Sequence, residues 1–285
     1  MRTIAVQPPF DLARTVAPVW WARGRWPNVD WQGGVFSWVG WEQNRIVWRS
    51  VTQRDQQTLE VSGSGDHALD DDWASRVLGV AAVMPKFSHA TLKDFAVEHS
   101  GMKPWSAGSH FEGIVSSVVG QSISVAAAAT TERRLYGLFN KATDVGGRDF
   151  WPPPTPLQLA TAEPAHVRTS GVTATRASAL VAVGNGFACG QFLDAVDPGF
   201  DPLLEGVKLR AISGIGPWTV RSALLWGLAE PDAHPTGDVA LLRAVRRSLP
   251  DVETLKQLDR VAEEWRPHRG WAARLFWLDL LGFDG

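Results

Sequence analysis

Two stretches in the last third of this 285-residue chain concentrate the residue types that could do chemistry. The first runs Leu209-Arg210-Ala211-Ile212-Ser213-Gly214-Ile215-Gly216-Pro217-Trp218-Thr219-Val220. It reads as a helix ending near Ala211, a turn through Gly214-Ile215-Gly216, and a second helix opened by Pro217, where the missing N–H would be unpaired anyway. The two glycines allow backbone angles that other residues resist, and they leave the amides uncovered. The second helix then presents free N–H groups and the positive end of its dipole, a phosphate site that needs no lysine. The second stretch, HPTGDVALLRAV, places Asp238 22 residues beyond Gly216, at the mouth of a further helix. By residue type alone, an Asp in that place is a helix cap.

These residues need elements to hold them. Residues 1 to about 98 are β-rich. GGVFSWVGWE, NRIVWRSVT and QTLEVSGS alternate apolar and polar residues between Gly and Asn punctuation, which predicts an antiparallel meander. DLARTVAPVWWARGRW precedes it as a helical stretch, and Asp70-Asp71-Asp72 reads as a solvated cap on the helix WASRVLGVAAVM. From residue 109 the pattern turns helical. HFEGIVSSVVGQSISVAAAATTERRLYGLF predicts two closely packed helices, WPPPTPLQLA an ordered extended loop, and Thr173 the cap of another helix. The segments 201–229, 238–249 and 251–281 favour helix as well. The expected fold is an α+β N-terminal domain over residues 1–98, an antiparallel sheet with helices, followed by an all-α domain over 99–285.

Composition narrows the function classes. Hydrophobic residues at 45% and charged residues at 20% describe a globular chain. No run of about 18 apolar residues offers a membrane span, and the N-terminus has no signal-peptide core. The single cysteine, Cys189, cannot build an internal disulfide, a Cys-rich zinc site or a four-cysteine iron–sulfur cluster. A cytoplasmic protein is expected. The formal charge of −2 argues against a broad basic nucleic-acid surface, so any DNA contact must use local groups and backbone amides. No phosphate-loop, nicotinamide or metal-spacing motif points to a small-molecule enzyme. The 15 tryptophans are numerous, and most are expected in cores or interfaces.

Taken together, FEGIVSSVVGQSISVAAAATT, GVTATRASAL, LRAISGIGPWTV, HPTGDVALLRAV and the closing WRPHRGWAARLFWLDL resemble the helix-hairpin-helix/Gly-Pro-Asp superfamily of DNA glycosylases, most of all its AlkA-type 3-methyladenine branch. The opening VQPPFDLARTV is similar to the start of that branch's N-terminal domain. The resemblance implies a DNA repair enzyme, a monofunctional glycosylase that hydrolyses the N-glycosidic bond of alkylated bases flipped from duplex DNA. Asp238 would be the catalytic carboxylate stabilising an oxocarbenium-like transition state, with Trp218 and Trp277 as walls of the base pocket. Gly214, Ile215, Gly216, Thr219, Gln121, Ser122, Ile123 and Arg269 would contact DNA. Arg269 and Arg266 could equally be ion-paired, and His234 is expected to be structural. A lysine before the hairpin Thr would signal Schiff-base strand cleavage; here Trp218 stands there, which implies no lyase step.

Two departures stand out. Ser122 follows Gln121 where the family often carries a large apolar wedge, leaving Ile123 as the candidate. Ser222 occupies a place where an aromatic is expected, which implies a roomier or more polar pocket. No organic cofactor is expected; a monovalent cation on the backbone of Arg210, Ile212 and Ile215 is implied only by the family. The expected partner is double-stranded DNA with a damaged base, bound by a monomer, and in a bacterium the chain would be nucleoid-associated. Two alternatives stay open: a glycosylase of the same fold for oxidised or deaminated bases, and a non-catalytic DNA-binding module.

Overall fold

Strand pairing organises the N-terminal part of the computed structural model, which describes residues 1–22 and 24–282. Strands β1 (Arg2–Ala5), β2 (Val29–Gln32), β3 (Val35–Glu42), β4 (Arg45–Asp55) and β5 (Thr58–Gly63) form one antiparallel sheet in the order β1-β5-β4-β3-β2. The predicted meander is β3-β4-β5, with Phe36 opposite Val51 and Val51 opposite Val61 in one buried row. The two edge strands were not anticipated. The stretch expected to be one helix is two, α1 (Leu12–Thr15) and α2 (Ala17–Trp21), with Pro18 at the start of the second. Proline favours that first turn and would disrupt the interior of a longer helix.

One expectation about this region is corrected. Asp70 opens α3 (Asp70–Val77) but is not a solvated cap. It is 1% exposed and pairs with the buried Arg49 at 2.8 Å and with His67 at 2.8 Å. A charge this deep requires a partner, and Arg49 supplies it from β4 while also meeting Glu42 at 2.7 Å.

The remaining helices are α4 (Ala90–Glu98), α5 (His110–Gly120), α6 (Val125–Phe139), α7 (Pro156–Ala160), α8 (Pro164–Arg168), α9 (Ala174–Ala188), α10 (Pro202–Leu209), α11 (Pro217–Leu228), α12 (Val239–Ser248), α13 (Leu255–Ala262) and α14 (Arg269–Leu281). The proline-rich segment is extended only as far as Thr155, whose hydroxyl and Gln158 form a capping box on α7. Thr173 caps α9 as predicted.

Among the described residues two large hydrophobic cores form, with a small third cluster of Val39, Val145 and Phe150. One joins the sheet to residues as far as Val80 and adds Trp105; the other gathers the helices and includes Phe87, Leu92 and Phe95. Helix α4, expected at the end of the first domain, therefore packs into the helical core. Arg23 and the last three residues of the expected 99–285 domain lie outside the described residues.

The helical core centres on α5 against α11. A Cβ on Gly113 would come within 2.5 Å of the Ala223 carbonyl oxygen and 2.6 Å of Gly227 Cα, so both glycines are required where the two backbones touch. That contact fixes the spacing of the elements that carry the site.

Candidate active site

The hairpin forms as read from the sequence. Helix α10 ends at Leu209, Gly214 adopts φ +90°, and Gly216 caps α11 with Pro217 in its first turn. Among the described residues, the amides of Gly216, Trp218 and Thr219 donate to no backbone carbonyl, Val220 being the first to do so, to Gly216. Gly216 has no atom within 4 Å of where a Cβ would stand. Ile215 is different: it is buried and packs into the helical core.

Asp238 caps α12, with Oδ1 accepting from Leu241 N–H at 2.8 Å. Its Oδ2 accepts from the indole Nε1–H of Trp218 at 3.1 Å. The helix-cap reading is thus met, with one oxygen on the α12 amide and the other on the Trp218 indole, and the residue also lines a cavity. That cavity, about 190 Å³, is lined by Asp238, Trp218, Trp277, Ser222 and Ile123 among others, so residues 123 to 277 in sequence meet in one place.

Its other walls were not foreseen. Trp21, Arg25 and Trp26 come from the N-terminal region, Ser116 and Ser117 from α5, and Trp226 from α11. Trp226 stacks on Trp277 with centroids 5.3 Å apart and 25° between planes, while Arg274 lies over the Trp226 ring at 4.8 Å. The cavity is thus walled by electron-rich rings held by packing and cation–π contact. A buried polar network supports it: Arg25 pairs with Glu132 and donates to the Ser116 carbonyl at 2.7 Å, while Trp26 Nε1–H donates to Ser116 Oγ at 3.0 Å. Burial holds the pKa of Arg25 down at about 10. Only the surplus of tryptophan hinted at this arrangement in the sequence.

The loop at the cavity mouth is built from α5 and α6. Gln121 ends α5 and donates through Nε2 to Gly214 O and to Thr219 Oγ1, both at 2.8 Å. Arg176 donates to Gln121 Oε1 at 3.3 Å and to its carbonyl. The Gln121 side chain therefore clasps the loop to the hairpin. Thr219 is 2% exposed, and its hydroxyl accepts from Gln121. Ser122 takes φ +50°, and Ile123 follows it 37% exposed.

Arg269 is corrected. It is 5% exposed, and its guanidinium meets Asp232 at 2.6 and 2.9 Å and Glu263 at 2.7 Å. A group committed to two carboxylates is not free for phosphate; Arg269 fixes the start of α14. Arg266 shares both carboxylates. His234 pairs with Asp259 at 2.9 Å and stands outside the cavity lining.

No family model matches the chain. It is 25% identical over 197 residues to YfjP of Bacillus subtilis, named as a candidate DNA-3-methyladenine glycosylase, covering 68% of this chain and 67% of that one. It is 29% identical over 167 residues to DNA-3-methyladenine glycosylase 2 of Escherichia coli, covering 59% and 56%. The chain thus spans between about half and two thirds of these relatives' lengths. In structure it matches a 3-methyladenine DNA-glycosylase from Archaeoglobus fulgidus over 98% of this chain and 99% of that one, with TM-score 0.80 at 18% identity. In sequence the chain is thus similar to proteins named as DNA-3-methyladenine glycosylases, and over nearly its whole length it shares the fold of one of known structure.

Proposed function

We propose that this chain is a monofunctional DNA glycosylase that hydrolyses the N-glycosidic bond of alkylated bases, of the 3-methyladenine and 7-methylguanine type, flipped out of duplex DNA. The observation that carries the proposal is the Asp238 carboxylate, fixed by Leu241 N–H and Trp218 Nε1–H at a tryptophan-walled cavity beside the uncovered hairpin amides.

The chemistry follows from that placement. The amides of Gly216, Trp218 and Thr219 hold a phosphate, with α11 adding its dipole. The free carbonyls of Arg210 and Ile215, which accept no backbone hydrogen bond among the described residues, suit a monovalent cation that would strengthen the positive field there. A base carrying positive charge as an N-alkyl purine is drawn between the faces of Trp218 and Trp277. Asp238 then stabilises the positive charge that develops at C1′ as the bond to the base lengthens, and it orients the incoming water. Ile123, presented by the strained Ser122, fills the space the nucleotide leaves.

Among the described residues no lysine lines the cavity, and Trp218 stands where a Schiff-base lysine would be required. The reading is tested by incubating the protein with methylated duplex DNA and resolving free base, alongside borohydride trapping. Base release without a trapped adduct supports it. A trapped adduct refutes the monofunctional assignment, and no release of any base leaves a DNA-binding module.

A further inference from the structure

A second opening lies between the sheet, α3, the first turn of α5 and the segment that follows α9, a cleft of about 750 Å³. Among the described residues, none lines both this cleft and the tryptophan-walled cavity. Nearly every charge in its wall is already answered. Arg49 is held by Glu42 at 2.7 Å and Asp70 at 2.8 Å, and Arg76 by Asp72 at 2.9 Å. Asp194 caps the start of α5, its two oxygens accepting from His110 N–H at 2.7 Å and from the Ser109 hydroxyl at 2.6 Å. Asp197 accepts from Asp194 N–H at 2.8 Å. Glu112 is the exception. Among the described residues its carboxyl is in no ion pair, and its one hydrogen-bonding side chain is Asn28. The other groups that face it are Asp194 beyond α9, Arg76 on α3 and Tyr136 on α6. Burial first, and then the charge of Asp194, push the pKa of Glu112 up to about 8, so at neutral pH it keeps its proton.

The wall beside Glu112 is aromatic. Phe187 packs edge-on against Phe111 and Phe192, with centroids 5.2 and 5.6 Å away, and all three line the cleft. Trp38 and Trp73 differ, because the Arg49 guanidinium already lies over their rings at 5.8 and 5.2 Å. An incoming apolar group is therefore left with the phenylalanine side, where Glu112 directly follows Phe111 in α5. The charges select the sign of the ligand. An anion would meet Asp194 and Asp197 while both arginines are already paired. A metal ion needs several ligands, and among the described residues no three His, Cys, Asp or Glu side chains are grouped to hold one. A cation on an apolar body satisfies both halves of the wall, since a carboxylate taken out of water requires a counter-charge.

We propose that this cleft is a binding site for a small organic amine, with the ammonium paired to Glu112 and the apolar body against Phe111, Phe187 and Phe192. The proton balance is explicit: Glu112 gives its proton to solvent, and the ammonium N–H groups donate to the carboxylate that remains. Binding at neutral pH therefore releases a proton. The site stands apart from the glycosylase reading and does not depend on it. Phenethylamine, an ammonium on a short arm from one aromatic ring, is the probe, and 2-phenylethanol is its uncharged counterpart.

The experiment is isothermal titration calorimetry of both compounds into wild type, Glu112→Gln and Asp238→Asn at pH 6 and pH 7. Wild type should bind the amine about tenfold more tightly than the alcohol at pH 7, the scale of one charged hydrogen bond, and Glu112→Gln should lose that preference. Wild-type affinity for the amine should rise about tenfold from pH 6 to pH 7, because the proton on Glu112 is easier to displace as pH approaches its pKa. Buffers of different ionisation heat should report the released proton in wild type and none in Glu112→Gln. That variant replaces a group already uncharged at neutral pH, so it should fold, and the pH dependence is read on wild type alone. Asp238→Asn should bind the amine as wild type does. No amine binding by wild type, equal affinity for amine and alcohol, or an amine affinity unchanged in Glu112→Gln each overturns the proposal. Binding lost in Asp238→Asn also overturns it, because the amine would then sit in the other cavity.

Discussion

Removing the Gln121 side chain tests whether the loop and hairpin act as one body. Its amide donates at 2.8 Å to Gly214 O and at 2.8 Å to Thr219 Oγ1. Gly214 is exposed and can recover its bond from water, whereas Thr219 is 2% exposed and cannot. An exchangeable bond contributes about 1 kcal/mol, and a stranded buried acceptor costs about 1–3 kcal/mol. Gln121→Ala should therefore cost about 2 kcal/mol. For a chain of 285 residues that corresponds to a fall in Tm of about 3 °C.

Gln121→Glu is the sharper variant. It preserves shape but turns the donor into a second acceptor facing a carbonyl, so it should unfold below the Ala variant at neutral pH. The assay is thermal unfolding by circular dichroism, with affinity for an abasic-site duplex measured in parallel. Both variants should bind more weakly, because the hairpin amides lose their register with the Ser122-Ile123 loop. Gln121→Glu melting within a degree of wild type would refute the clasp.

Three further outcomes are expected. Gly113→Ala forces a Cβ to 2.5 Å from a backbone oxygen that no rotamer change relieves, so it should cost about 3 kcal/mol or more and show as a lowered Tm or insolubility. Glu112, in a cleft near Asp194, has its pKa pushed up to about 8, first by burial and then by Asp194, against Arg76 and an Asn28 hydrogen bond. The folded chain then keeps a proton that the unfolded chain gives up, so stability should fall as pH rises from about 4.5 to 8; denaturant titrations should find Glu112→Gln flatter across that window. Arg269→Ala leaves Asp232 paired with Arg266 and should cost about 2 kcal/mol for the lost charged hydrogen bonds; the salt dependence of DNA binding should keep its slope, whereas a lost phosphate contact would reduce it by about one.

What the sequence made legible is local. The hairpin turn, Pro217 at the start of α11, the cap at Thr173 and the position of Asp238 at a helix mouth depend on neighbours within a few residues, and the backbone rules for Gly, Pro and Asp act at that range. The cavity's polar floor was not legible. Arg25 reaches the Ser116 carbonyl across 91 positions, and Trp26 reaches Ser116 Oγ across 90. No periodicity encodes such a meeting. Arg269 was open to two readings for the same reason: its partner Asp232 lies 37 positions away, and a charge in a sequence does not name its counterion. Asp70 carried a third ambiguity, since an acidic triplet at a helix start reads as solvated until Arg49 is found beside it. Ser222 was legible as a departure from the family pattern, but Ser117 and Arg25 beside it in the same wall were not.

The central claim is that the Asp238 carboxylate does chemistry as well as capping a helix. Asp238→Asn separates the two roles, because the amide oxygen can still accept from Leu241 N–H while the negative charge beside the cavity is lost. The measurement is single-turnover base release from methylated duplex DNA by wild type and Asp238→Asn, each shown to be folded and to bind an abasic-site duplex. The account predicts near-wild-type folding and binding with release slowed by about 10²–10³-fold, the scale of losing one preorganised electrostatic group. Release by Asp238→Asn at the wild-type rate would contradict it.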